Sequence, residues 1–109
     1  MITGQLKFET PGAAAAARRV VIYVEDTSRA DAAAVILARK ELTIPEDFDL
    51  ERDLLPFELD VPGASASLTL RAHLLSHEGA DIRQGDMITM ETIPAREGRP
   101  VTAVLHPIE

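Results

Sequence analysis

Apolar and polar residues alternate with a period of two along much of this chain. In the first segment the residues on one side are Ile2, Gly4, Leu6 and Phe8, and those on the other side are polar or charged. A period of two places successive side chains on opposite faces of a strand. We therefore predict a half-buried strand here, which Pro11 and Gly12 end.

Several further segments are also predicted to be strands. The inward positions of the alternating ones are Leu55, Phe57, Leu59 and Val61, then Leu68, Leu70, Ala72 and Leu74, then Val101, Ala103 and Leu105. The run 20–24 is almost continuously apolar and β-branched, which is typical of a central strand that is covered on both faces or lies in the middle of a sandwich. The last two strands are predicted from Asp86 to Ile93 and from Arg99 to His106.

The segment 28–42 permits two interpretations. Ser28 and Asp31 resemble a helix start, and small apolar residues follow at helical spacing. Alternatively, the residues 35–37 open a strand that runs to Ile44. The pattern of residues alone leaves both alternatives open.

The spacing of the strands predicts an all-β fold. Loops are expected at 13–17 and at the acidic stretch 45–53, and a turn at 78–79. We expect a single antiparallel β-sandwich of about seven strands, or a partly closed barrel, with at most one short helix. The 109 residues form one domain.

Composition and charge exclude several classes of function. Lysine and arginine number 11 against 18 acidic residues, a net charge of −7 that repels nucleic acid. The chain has no cysteine, and hence no lipid-attachment cysteine, disulfide or zinc thiolate site. No segment reaches the roughly 18 apolar residues of a membrane span. Without a signal peptide we expect a cytoplasmic protein, or a periplasmic or outer-membrane one if an upstream export signal was removed.

The three histidines are the first candidates for catalysis or metal binding. His73 and His77 would be neighbours on a helix, but on a strand four residues span about 13 Å, too far to share a metal. Both, like His106, occupy polar positions of predicted strands. We therefore expect all three to be exposed to solvent.

The acidic stretch resembles a calcium loop only in part. Asp47, Asp49 and Glu51 alternate as ligands do, and Glu58 stands at the twelfth position. The sixth position, however, is Arg52, where an EF-hand loop requires glycine. We interpret this stretch as a solvated loop.

No motif for catalysis or cofactor binding is found. The serines at positions 28, 65, 67 and 76 lack the glycine-flanked elbow of a nucleophile, and no glycine cluster suits a phosphate. We assign no catalytic residue, no metal site and no cofactor, and expect the chain not to be an enzyme.

A binding function remains. Edge strands and the groove between sheet layers can hold an extended peptide, although Lys7, Lys40 and Pro56 are candidates for residues that block an edge. Our hypothesis is a non-enzymatic binding or assembly module for a peptide or protein partner. The alternative is a soluble intracellular carrier or accessory domain that holds a small ligand between its sheets. The binding surface and the oligomeric state are not indicated by the sequence.

Four elements of the sequence resemble a known family. They are Val24-Glu25-Asp26-Thr27-Ser28-Arg29-Ala30-Asp31-Ala32, the residues 35–38, Leu55-Pro56-Phe57-Glu58-Leu59 and Leu70-Arg71-Ala72-His73-Leu74. They are similar to the YbaY-like or YscW-type lipoprotein family, which includes pilotin-like type III secretion chaperones.

The resemblance implies a compact β-sandwich in the bacterial envelope, with a role such as the escort of secretin subunits. It also favours a loop followed by a strand over 28–42. It implies no catalytic residue, and the anchoring cysteine of the family is missing here. Ser28, Arg29 and Asp31 match its most recognisable element, where we expect them to stabilise a turn.

Overall fold

The computed structural model describes residues 1–9, 17–27, 35–61, 68–76, 86–96 and 98–108. These residues form eight strands: β1 (Ile2–Phe8), β2 (Arg19–Asp26), β3 (Val35–Thr43), β4 (Leu55–Leu59), β5 (Leu68–Leu75), β6 (Met87–Thr89), β7 (Ile93–Pro94) and β8 (Val101–Pro107). The described part of the chain contains no helix, and thus none that could cross a membrane. The all-β prediction is confirmed.

The strands form one sheet that curls into a nearly closed barrel. Their order is β3-β2-β5-β6-β8-β1-β4, with β7 also paired to β5. About seven strands and partial closure were expected, and both are confirmed. The pairs are antiparallel except β1 with β8, which are parallel. Because β1 and β8 are far apart in the sequence, no turn connects them, and the sequence offers no local signal for this pairing.

Apolar side chains from both layers of the barrel fill its interior. Inward side chains of β2 lie opposite inward side chains of β5, as the alternation in the sequence predicts. Val20 lies opposite Leu74, and Ile22 lies opposite Ala72. All four are fully buried. Val21 on the other face of β2 is fully buried too, as predicted for a strand covered on both faces.

Gly4 lies where β1 passes between its two neighbours. It pairs with Phe57 of β4 and Val101 of β8. A Cβ atom at this position would collide with the Val101 carbonyl oxygen and lie 3.0 Å from the Phe57 ring. The absent side chain lets three strands approach closely, as glycine does at a barrel corner.

The strand interpretation of the segment 28–42 is confirmed in its described part, because β3 begins at Val35 and ends at Thr43. Residues 28–34 lie outside the described residues, as do most of the predicted loop 13–17 and the turn 78–79. The strand predicted between Asp86 and Ile93 is interrupted, so that β6 and β7 are separate.

The connection from β3 to β4 is anchored to the barrel. It lacks strands, as the sequence predicts, but Ile44 and Leu50 are buried. Phe48 packs edge-on against Phe8, with 6.4 Å between the ring centroids. These three apolar side chains fix the chain as it passes between the two strands at the ends of the sheet.

Candidate functional site

The sheet ends on two strands that face each other. Along the described sheet β3 pairs only with β2, and β4 pairs only with β1. A groove of about 270 Å³ separates them, and we call it the seam. It is lined by Ala38, Arg39 and Lys40 of β3 on one side, and by Glu58, Leu59 and Asp60 on the other, together with Met1. Because edge strands expose unpaired backbone N–H and C=O groups, the seam can receive an extended chain.

Lys40 spans the seam. It lies opposite Ile22 in the β2–β3 register, between the inward positions of Ala38 and Leu42. Its side chain leaves this inner face towards β4, where the ammonium nitrogen Nζ donates a hydrogen bond to the Glu58 carbonyl oxygen over 2.6 Å. An inward-pointing charge on an edge strand hinders pairing with other chains.

Two of the three residues expected to block an edge lie on edge strands. Lys40 is on β3 and Pro56 is on β4. The prediction is wrong for Lys7, because β1 has a neighbour on each side. The Lys7 ammonium instead forms an ion pair with Glu9 at 3.0 Å.

The two sides of the seam carry opposite charges. Arg39 and Lys40 line the β3 side, and Glu58 and Asp60 line the β4 side. Glu41, further along β3, is already paired with Arg19, and the hydrogen bond from that guanidinium lowers the pKa of the Glu41 carboxyl. The positive charges of β3 therefore lie at the groove, on Arg39 and Lys40.

A second polar cluster lies on the outer face of β2 and β5. The Arg71 guanidinium stacks 4.5 Å from the centre of the Tyr23 ring, and its Nε donates to Glu25 over 2.5 Å. The Tyr23 and His73 ring centroids are 5.3 Å apart. A groove of about 450 Å³ adjoins Arg71. Since Glu25 already neutralises the arginine, this cluster stabilises the sheet rather than offering a free charge.

The expectation of exposed histidines is wrong for His73, which is only 6% exposed. It does point to the outer face, but that face is itself covered at this end of β5, where Leu75 is also buried. Its Nδ1 has no hydrogen-bond partner. Burial lowers the pKa of His73, with a smaller contribution from Arg71, which keeps the ring neutral.

His106 is half-buried, so the expectation of exposure fails there too, and His77 lies outside the described residues. The part of the chain that is described contains no group of three His, Cys, Asp or Glu side chains able to hold a metal.

The acidic loop uses its carboxylates to bind its own backbone. Asp49 accepts a hydrogen bond from the Glu51 amide, and Asp53 accepts one from the Asp49 amide, both over 2.9 Å. These bonds shape the turn that connects β3 to β4.

Among the serines, only Ser76 is described. Its amide and its hydroxyl both donate to one carboxylate oxygen of the buried Asp86, over 2.9 and 2.7 Å. Both groups therefore hold the end of β5 against the start of β6. Ser28, Ser65 and Ser67 lie outside the described residues, as do Arg29 and Asp31.

Sequence reasoning identified Lys40 but missed the residues around it. A signal for Lys40 exists, because a lysine occupies an inward place in the alternation of β3. Arg39, Glu58 and Asp60 are ordinary polar residues of strands, and only the closure of the sheet brings them together.

Comparisons with known proteins identify no relative. No protein-family model matches the chain, and no curated protein or solved structure matches it either. The resemblance to the YbaY-like family stays an expectation from short sequence elements. The function is therefore argued from the geometry of the seam.

Proposed function

We propose that this protein binds an extended segment of a partner protein at the seam, without catalysing a reaction. The observation that carries the proposal is that the sheet ends on two facing edge strands, separated by a groove of about 270 Å³. The bond from Lys40 to the Glu58 carbonyl crosses this gap. An added strand would pair with backbone groups that the barrel leaves exposed.

The shape of β3 supports this mode of binding. It has nine residues and β4 has five, so one edge is longer than the strand facing it. The groove lies at the end away from the connecting loop 44–54. Val35 and Ile36, which begin β3, are 58% and 49% exposed and can contact apolar side chains of a bound segment.

The interior of the barrel supports the seam over the alternative of a carrier. A ligand between the layers would need free volume among the inward side chains. Leu6, Ile22, Leu74 and Leu105 occupy that space with no exposed surface. The three grooves described at the surface lie between strands or on the outer face of the sheet.

A pilotin-like role in the bacterial envelope is the biological form that we propose for this binding. Its support is the resemblance of the short elements 24–32, 35–38, 55–59 and 70–74. Fractionation of cells that express the protein from its own chromosomal locus tests this part. Recovery with the outer membrane supports envelope escort, and recovery in the cytosol contradicts it while leaving peptide binding open to its own test.

Peptide binding is tested with labelled synthetic peptides as long as β3, in which apolar and polar residues alternate. Binding is followed by fluorescence anisotropy. In a strand added at an edge, only every second N–H faces the protein. N-methylation at alternate positions should therefore abolish binding, and N-methylation at the intervening positions should not.

The controls are peptides of the same composition with interspersed prolines, which cannot pair along a sheet. Equal sensitivity at all positions would indicate pairing with both edges of the seam, and insensitivity at all positions would show that the peptide does not bind as a strand. Binding no stronger than that of the proline peptides would also contradict the proposal.

A further inference from the structure

We propose that Lys40 selects the occupant of the seam, so that the bound segment carries an aspartate or glutamate that accepts a hydrogen bond from the Lys40 ammonium. This inference rests on the proposed function. It concerns the chemistry of the partner, which strand addition alone leaves unspecified.

The Lys40 side chain reaches across the seam from the β3 side. It emerges from the inner face of β3, where Ala38 and Leu42 precede and follow it on the same side, and it is half-buried. Its ammonium donates to the Glu58 carbonyl oxygen over 2.6 Å. The closed seam thus supplies this charge with a hydrogen-bond acceptor.

A segment that enters the seam competes with Lys40 for the Glu58 carbonyl oxygen. The Glu58 carbonyl belongs to edge strand β4, and Lys40 reaches it across the groove. A segment that enters the seam must separate the ammonium from the carbonyl, or bind around their contact. When the ammonium is separated from the carbonyl it loses this hydrogen bond, whereas a carboxylate on the segment supplies a charge-assisted one.

Pairing with β3 determines where the carboxylate of the bound segment lies. Residues directly opposite one another on paired strands share a face of the sheet. An acidic residue on the inner face, across from Lys40, also has the small side chain of Ala38 beside it. An acidic residue on the outer face near β4 would instead meet the exposed carboxylates of Glu58 and Asp60. The inward position beside β3 is therefore favoured.

The experiment compares three peptides that differ at one inward position, which holds Glu, Gln or Lys. The proteins are the wild type, Lys40→Met, Lys40→Glu and the control Lys7→Met, which removes a positive charge from β1 outside the seam. Affinities are measured by fluorescence anisotropy at low ionic strength. We expect the wild type and Lys7→Met to bind the Glu peptide about threefold more tightly than the Gln peptide, as for an exposed ion pair.

The Lys40→Met variant should bind the Glu and Gln peptides equally, and Lys40→Glu should favour the Lys peptide. Equal affinity of the wild type for Glu and Gln would overturn the inference even if every variant failed to fold. A Glu preference that survives in Lys40→Met would overturn it too. In both cases the seam would still bind peptides, whereas failure of all three peptides to bind any protein would remove the proposed function as well.

Discussion

The Lys40 ammonium and the Glu58 carbonyl oxygen, 2.6 Å apart, join β3 and β4, the strands at the two ends of the sheet. Every other neighbouring pair in this sheet is joined by a backbone ladder. The barrel is consequently closed at this point by a side chain, and a side chain can be displaced at a lower cost than a row of backbone hydrogen bonds.

Removal of the Lys40 charge should make the edge strands associate with other molecules. Without the inward-pointing ammonium, both edges are open to another copy of the chain. We expect Lys40→Met to form dimers or larger species at concentrations where the wild type and Lys7→Met do not, as measured by sedimentation velocity. The same sedimentation coefficient for all three proteins would contradict this role of Lys40.

Gly4 should tolerate alanine poorly. The added Cβ would collide with the Val101 carbonyl oxygen and press on the Phe57 ring. We expect Gly4→Ala to lower the free energy of unfolding by about 3 kcal/mol, the upper end for overpacking in a tight site. Urea denaturation followed by circular dichroism measures this change.

Gly98 provides the control, because a Cβ there meets nothing within 4 Å. Its φ of +78° is strained for other residues, so Gly98→Ala should cost about 1 kcal/mol. A smaller loss of stability for Gly4→Ala than for Gly98→Ala would show that the three strands are not as close as the structure places them.

His73 should make the fold sensitive to acid. Burial and the Arg71 charge lower its pKa in the folded state below the ordinary value of 6.5, and the opposing contributions of Asp86 and Glu25 are smaller. Tyr23 packs beside the ring and adds no charge that would offset this. Near that pH the unfolded chain therefore binds more protons than the folded chain, so stability falls as the pH falls.

This contribution is fully present above pH 6.5 and is lost as the pH drops through the folded pKa. We expect the free energy of unfolding, measured in urea between about pH 7.5 and 5.5, to fall more steeply for the wild type than for His73→Gln. Parallel curves for the two proteins would show that His73 is not held neutral by its surroundings.

Tyr23 and Arg71 should contribute to stability as a pair. The guanidinium lies 4.5 Å from the ring centroid, and Glu25 fixes its orientation. In a double-mutant cycle with Tyr23→Leu and Arg71→Met we expect a coupling free energy of about 0.5–1 kcal/mol. Additive effects of the two substitutions on urea denaturation would indicate that the stacking contributes no energy.

The strands were predictable where one face is apolar. Leu55, Phe57 and Leu59 alternate with polar neighbours, and the structure buries all three. The choice for 28–42 was harder, because alanines suit a helix locally while Val35 and Ile36 suit a strand. Pairing of β3 with β2 decided it, and such pairing is a tertiary effect that local propensity does not contain.

The seam could be predicted only in part. The inward place of Lys40 and the proline in β4 both indicate edge strands. Nothing in the sequence indicates that these two edges face each other, because this depends on the curvature of the whole sheet. The burial of His73 was missed for a related reason, since period-two alternation assigns a residue to a face but does not say whether that face is covered.

Backbone amide exchange measured by NMR tests the central claim most directly. The probe is a synthetic alternating peptide as long as β3 with an inward glutamate. On binding, we expect exchange to slow at every second amide along β3 or β4 near Ala38–Lys40 and Glu58–Asp60, with little change in β2 and β5. Protection confined to the groove beside Arg71, or no protection at saturating peptide, would contradict binding at the seam.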